Sequence, residues 1–262
     1  MKRVVSTSVE PFREPNFMLT QISSSVYCWS EIHGAARNEP YPWNSFVIRT
    51  NHGDGLVLVD PLPIPTEDER EIEAMGDPAH ILLTCEYHLR ESKTFRDRWG
   101  CDIRIHEDGS EYSEVMIDET FQDGDLLWDR IEVIHIPDAY HTDEVAFMVH
   151  GEGNTMIVGD AVCGGRRDRG IPDGEIWINA PEYVIADLSG ARESLRKLSG
   201  HSFERMVFGH GSPILHAAGD RFTAFLEDDA AWAKLESEKA ERTNPASREF
   251  IREMQVRRSR GR

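Results

Sequence analysis

The sequence predicts an α/β chain built as two stacked β-sheets with helices on their outer faces. Three observations predict it. Short apolar or alternating runs are followed by helix-like segments in the first half. The same order returns in the second half, without a convincing internal repeat. Glycine-containing turns join several of the runs into hairpins. With 262 residues, 39% of them hydrophobic and 29% charged, the chain can bury a sizeable core.

The elements follow in order. Phe17 to Ile22 and Val26 to Ser30 read as strands. Asn44 to Thr50 and Gly55 to Val59 flank Asn51-His52-Gly53-Asp54-Gly55, a strong hairpin signal. Thr66-Glu67-Asp68-Glu69 reads as a capping box opening a helix to about Met75. Ile81 to Thr84 suits a buried strand, Glu91 to Trp99 a helix stopped by Gly100, and Asp102 to His106 a strand. In the second half, Asp125 to Trp128, Ile131 to Ile136, Val145 to Val149 and Met156 to Val158 are strand-like. Leu188 to Leu198 has helical spacing, and Arg205 to Phe208 is a short strand before Gly209-His210-Gly211. From about Ala217 to Arg242 the composition predicts one long amphipathic helix. The expected division is a domain over 1–242 and a basic tail over 243–262.

Charge narrows the partners. A net charge of −18 repels phosphate backbones, so nucleic acid is not an expected partner. Arg257, Arg258, Arg260 and Arg262 read as a frayed terminus or a small anion contact. No apolar run approaches the roughly 18 residues of a membrane span, and the start lacks the apolar core of a signal peptide. Cys28, Cys85, Cys101 and Cys163 form no Cys-x-x-Cys pair. Free thiols in a cytoplasmic protein are the expectation. No nucleophile elbow, Walker loop or dinucleotide fingerprint occurs, which argues against serine hydrolases and the common nucleotide folds.

Three polar residues follow apolar strands. They are His141, Asp160 after Met156-Ile-Val-Gly, and His210 after Met206-Val-Phe-Gly. Binding groups collect on loops at strand ends, and a preceding glycine lets the backbone approach an ion closely. Two imidazoles and a carboxylate are a ligand set of many zinc and non-haem iron sites.

These landmarks resemble the metallo-β-lactamase-fold superfamily. Asn44-Ser-Phe-Val-Ile48 and Gly55-Leu-Val-Leu-Val-Asp60 are similar to its opening hairpin. Ile81-Leu-Leu-Thr84 is similar to the strand leading into its first metal motif. His141-Thr142, Gly159-Asp160 and Gly209-His210-Gly211 resemble its later metal motifs, in the right order. The resemblance implies a four-layer αββα sandwich with mixed sheets and a mono- or dinuclear site along one edge. It implies that His141 and His210 bind metal, that Asp160 bridges, and that most relatives are hydrolases.

One motif departs. The family's His-x-His-x-Asp-His is Cys85-Glu86-Tyr87-His88-Leu89-Arg90 here, so its ligand positions hold Cys85, Tyr87, Leu89 and Arg90. A one-residue slip would instead present Glu86, His88 and Glu91. The expectation is one ion, zinc or else iron or manganese, on His141, Asp160 and His210, with a fourth ligand from Cys85 or His88. Asp160 would also orient water for hydrolysis of a small ester, thioester or lactone. The alternative is a catalytically inactive, metal-free binding module for a small molecule, with Arg90 pairing Asp60 or Asp160 in the metal's place. Arg166 and Arg167 either meet an anionic substrate group or belong to a plain solvated loop. Trp29, Trp43 and Trp177 are either pocket walls or packing residues. The long C-terminal helix could pair with a second chain in a homodimer.

Overall fold

Alternation of branched and aromatic residues builds two sheets, each apolar on both faces. The computed structural model describes residues 19–33, 41–50, 53–112, 115–179, 185 and 187–242. Phe17, Asn51, His52 and the basic tail lie outside them.

The first sheet has seven strands in sequence order: β1 (Thr20–Gln21), β2 (Val26–His33), β3 (Tyr41–Arg49), β4 (Leu56–Val59), β5 (Pro78–Leu82), β6 (Asp102–His106) and β7 (Glu119–Phe121). Pairing is antiparallel from β1 to β4 and parallel from β4 to β7. Parallel neighbours need crossovers. Helices α1 (Glu69–Glu73) and α2 (Ser92–Trp99) supply two of them. Gly100 ends α2 in the left-handed conformation at φ 74°, and its N–H bonds the carbonyl of Arg96.

The second sheet contains β8 (Leu126–Leu127), β9 (Ile131–His135), β10 (Val145–Val149) and β11 (Thr155–Val158). A separate hairpin, β12 (Val162–Cys163) with β13 (Trp177–Ile178), follows. After helix α3 (Leu188–Ser199), β14 (Arg205–Phe208) joins β11 in parallel, so the second sheet runs β14-β11-β10-β9-β8. Helices α4 (Ala218–Glu227) and α5 (Asp229–Arg242) complete the described chain.

Side-chain alternation makes the layers. Phe46, Val57 and Leu82 from the first sheet meet Val133, Phe147 and Ile157 from the second in one core. On the outer face of the first sheet, Val47, Leu58 and Ile81 pack with Ile72 of α1 and Phe95 of α2. On the outer face of the second, Met148, Met156 and Phe208 pack with Leu195, Phe222 and Trp232 of the last three helices. Central strands such as β4 and β10 thus serve two cores by their period of two. The result is an αββα sandwich with mixed sheets. Trp29 is a fully buried member of the outer core of the first sheet, so it is a packing residue and lines no pocket.

Two local expectations are corrected. Thr66 caps nothing: it sits in a turn begun by Pro65, whose carbonyl receives the N–H groups of Asp68 and Glu69. The N-cap of α1 is Asp68, without a side-chain capping bond, and Glu69 is buried in an ion pair with Arg98. The long C-terminal helix is two helices. Asp228 leaves the helical region at ψ 82°, and its Oδ1 accepts the N–H of Ala231 at 2.9 Å, capping α5.

Candidate metal centre

Strands β4, β5, β11 and β14 end at one edge of the sandwich, and each delivers polar residues there. Asp60 follows β4 in the left-handed conformation, φ 49°. Ser45 holds it: the Ser45 hydroxyl donates to the Asp60 carbonyl at 2.5 Å and accepts the Leu62 N–H at 2.9 Å. Thr84, beyond β5, donates its N–H to Asp60 Oδ1 at 2.8 Å and its hydroxyl to Oδ2 at 2.6 Å. Close approach explains a glycine: a Cβ on Gly159 would stand 2.4 Å from Thr84 Oγ1.

Cys85 is extended, and Glu86–His88 then forms one 3₁₀ turn. The turn resolves the register of the first motif. Backbone bonds from Leu83 to Arg104 and from Val145 to Thr84 hold the strand end in place, so Cys85 keeps its expected position. The tight turn then carries His88 inward and leaves Tyr87 at the surface, 42% exposed, stacked on His141 with ring centroids 4.5 Å apart. Glu91 closes no site; its Oε2 accepts the Thr94 hydroxyl. Arg90 does not pair with a carboxylate. It donates to the main-chain oxygens of Asn44 and Asp60 at 2.8 and 2.9 Å, and its guanidinium lies 5.6 Å from the Trp43 ring. The expected Arg90 substitute for a metal is therefore absent among the described residues.

The other four candidate ligands gather around Asp160. Ligand atoms of Cys85, His88 and Asp160 lie within 4.8 Å of one another. Nε2 of His88 is 3.3 Å and Nε2 of His210 is 2.8 Å from Asp160 Oδ1, while Nε2 of His141 is 3.3 Å from Oδ2. Gly209 makes room, because a Cβ there would be 3.2 Å from the His88 ring. Trp43 packs edge-on against His210 at 5.1 Å, and Tyr140 tilts against His141 at 4.1 Å.

Electrostatics follow from this crowding. Asp60 accepts at 2.8 Å from Nδ1 of His88, which places a hydrogen on that nitrogen. In the neutral ring Nε2 would then turn a lone pair toward a carboxylate oxygen, so a proton or a cation belongs between them. Burial and Arg90 press the His88 pKa down, but Asp60 and Asp160 outweigh them and lift it to about 9. Asp160 is held well below the carboxylate range: burial opposes this, and the His88 charge with bonds from all three histidines overcomes it. Burial holds His210 below its ordinary value, which favours a neutral ring, and its Nδ1 is buried without a hydrogen-bond partner. Burial, then Asp160 and other carboxylates, push the Cys85 thiol well up.

Two residues of the site were not legible. Glu144 is fully buried, accepts the Ala161 N–H at 2.5 Å, and has its pKa raised by burial and then by Asp160. Asn179 donates to Asp160 Oδ1 at 3.1 Å. Arg166 is committed to Asp168 and Asn179, so it does not stand ready for an anionic substrate. Trp177 lies beside Phe225 in a groove of about 900 Å³ bordered by Arg221 and Lys234.

The sequence profile of the metallo-β-lactamase superfamily matches residues 19–220. The chain belongs to the metallo-β-lactamase superfamily. Solved structures agree at the level of fold. A mutant flavo di-iron protein from Thermotoga maritima superposes with a TM-score of 0.61 at 14% identity, covering 81% of this chain and 62% of that one. The DIM-1 metallo-β-lactamase exposed to ceftazidime gives 0.61 at 15% identity, covering 81% and 97%. VMB-1 gives 0.60 at 14% identity, covering 82% and 98%. The chain thus spans 62% of the length of the flavo di-iron protein it matches. No curated protein sequence matches it. Among the described residues, no helix is long and apolar enough to cross a membrane.

Proposed function

We propose that this superfamily member is a metal-dependent hydrolase of a small ester, thioester or lactone, holding one ion. One observation carries the reading: three imidazole Nε2 atoms point at the carboxylate of Asp160, an arrangement that one shared cation would satisfy. The donor set fits a zinc or iron ion. His141, Asp160 and His210 would hold it, with His88 as fourth ligand and Cys85 beside it. Asp60 accepts from Nδ1 of His88, the contact by which a carboxylate fixes the ring of a ligating histidine and raises its basicity. When bound, the ion would supply Lewis acidity toward a carbonyl and a water that is nucleophilic at neutral pH. Asp160 would orient that water, and Tyr87 and Trp43 flank His141 and His210.

Metal analysis of protein grown with zinc, iron and manganese tests this. The expected content is about one equivalent, lost in His141→Ala and in His210→Ala, with thioester or lactone turnover lost in parallel. Unchanged metal content in both variants refutes it.

A second reading has its own support. His88 bridges Asp60 and Asp160, and a protonated ring there balances the buried charge without an ion. A metal-free binding module would contain no metal after growth in any of the three, and would hydrolyse nothing.

A further inference from the structure

Asn179 lies in a segment held by two arginines. It is 8% exposed, and its Nδ2 donates to Asp160 Oδ1 at 3.1 Å. A side-chain amide has a donor end and an acceptor end, and a carboxylate, which only accepts, takes the donor end. Arg166 enforces the same orientation from the other side. Its Nη1 donates to Asn179 Oδ1 at 2.8 Å. A guanidinium only donates, so the amide oxygen faces Arg166 and the NH₂ faces Asp160.

Arg166 is itself fixed. Its Nε and Nη2 grip the two oxygens of Asp168 at 3.1 and 2.6 Å. Its guanidinium lies 3.9 Å from the Tyr41 ring centroid. Arg169 anchors the main chain, donating to the carbonyls of Ile178 and Asn179 at 2.7 and 2.6 Å. The amide therefore meets Asp160 from a rigid support.

We propose that Arg166 and Asn179 form a positioning relay that orients the Asp160 carboxylate. The relay holds Oδ1 on the side of His88 and His210 and leaves Oδ2 for His141. The terminal torsion of an aspartate is broad, so without the amide donor the carboxylate can rotate. This inference rests on the reading of Asp160 as a metal ligand. It assigns Arg166 a role through Asn179 alone, with no contact to substrate.

Zinc affinity tests it, measured by competition with a chromophoric chelator on the full chain, for wild type, Asn179→Ala, Arg166→Met and the double variant. Loss of an outer-shell partner should weaken zinc binding by roughly 10–100-fold in each single variant. The double variant should bind no more weakly than Asn179→Ala, because Arg166 acts only through that side chain. Thermal unfolding in chelator reports folding independently of the metal. If Arg166→Met does not fold, Asn179→Ala decides alone. Unchanged affinity in Asn179→Ala, or additive losses in the double variant, overturns the relay while the metal reading stands. If the wild type binds no zinc, the same competition is run with ferrous iron and manganese, and a folded wild type that binds none of the three overturns both.

Discussion

Replacing Gly159 by alanine would drive a methyl group into Thr84. The new Cβ would stand 2.4 Å from Thr84 Oγ1 and 2.8 Å from its Cβ, where real contacts stay beyond 3.0 Å. Thr84 is fully buried and bonded to Asp60 through both its N–H and its hydroxyl, so displacing it strains those bonds. Overpacking of this kind costs about 1–3 kcal/mol, and a buried hydrogen bond left unmade a further ~1–3 kcal/mol. Together that is roughly 2–5 kcal/mol, since the two overlap. At roughly 2–4 °C per kcal/mol for a chain of this size, Tm should fall by about 4–20 °C. Circular dichroism melting in chelator measures it without interference from metal. The double variant Gly159→Ala/Thr84→Ala removes the closest contact, so its loss should be smaller than the sum of the singles. A Tm for Gly159→Ala within about 2 °C of wild type would refute the packing argument.

Other expectations follow from the same structure. Burial and then the neighbouring His135 hold the His106 pKa at about 4, below the ordinary 6.5. The fold therefore favours neutral His106, and this contribution is intact above pH 6.5 and lost as pH falls toward 4. His106→Asn should show a shallower fall in Tm across that window than wild type; parallel curves count against it. Asp228→Ala removes the cap of α5 and should destabilise by about 0.5–2 kcal/mol, read by urea unfolding, with Asp228→Asn close to wild type. Phe147→Ala opens the core between the sheets and should cost about 3–5 kcal/mol by the same measurement. Under the proposed function, Cys85→Ser should weaken metal retention, read by metal analysis; because Cys85 is fully buried, the new hydroxyl should also lower the Tm of the metal-stripped chain.

The αββα order was legible because it rests on local patterns. Strand periodicity in Val145–Val149 and Arg205–Phe208 matches the observed strands residue for residue, since the flanking turns bound them tightly. His141, Asp160 and His210 were legible as polar residues following apolar strands, two of them beside glycine. The break at Asp228 was not, because the surrounding Ala, Leu and Glu suit a helix throughout and only a capping aspartate marks the division. The first motif was ambiguous for a similar reason. Cys85 and His88 belong to alternative linear registers, and a single 3₁₀ turn brings both to the site. Asn179 and Glu144 carry no motif at all; they matter because distant loops place them against Asp160 and Ala161. The sequence by itself determined the two sheets, their outer helices and the strand ends at which the candidate ligands gather, because periodicity and turn chemistry act over a few residues. Only the tertiary structure decided which side chains meet at Asp160, that Arg90 turns away to main-chain oxygens, and that Arg166 orients an amide. Those outcomes depend on hydrogen bonds between segments far apart in the chain, whose geometry no local pattern specifies.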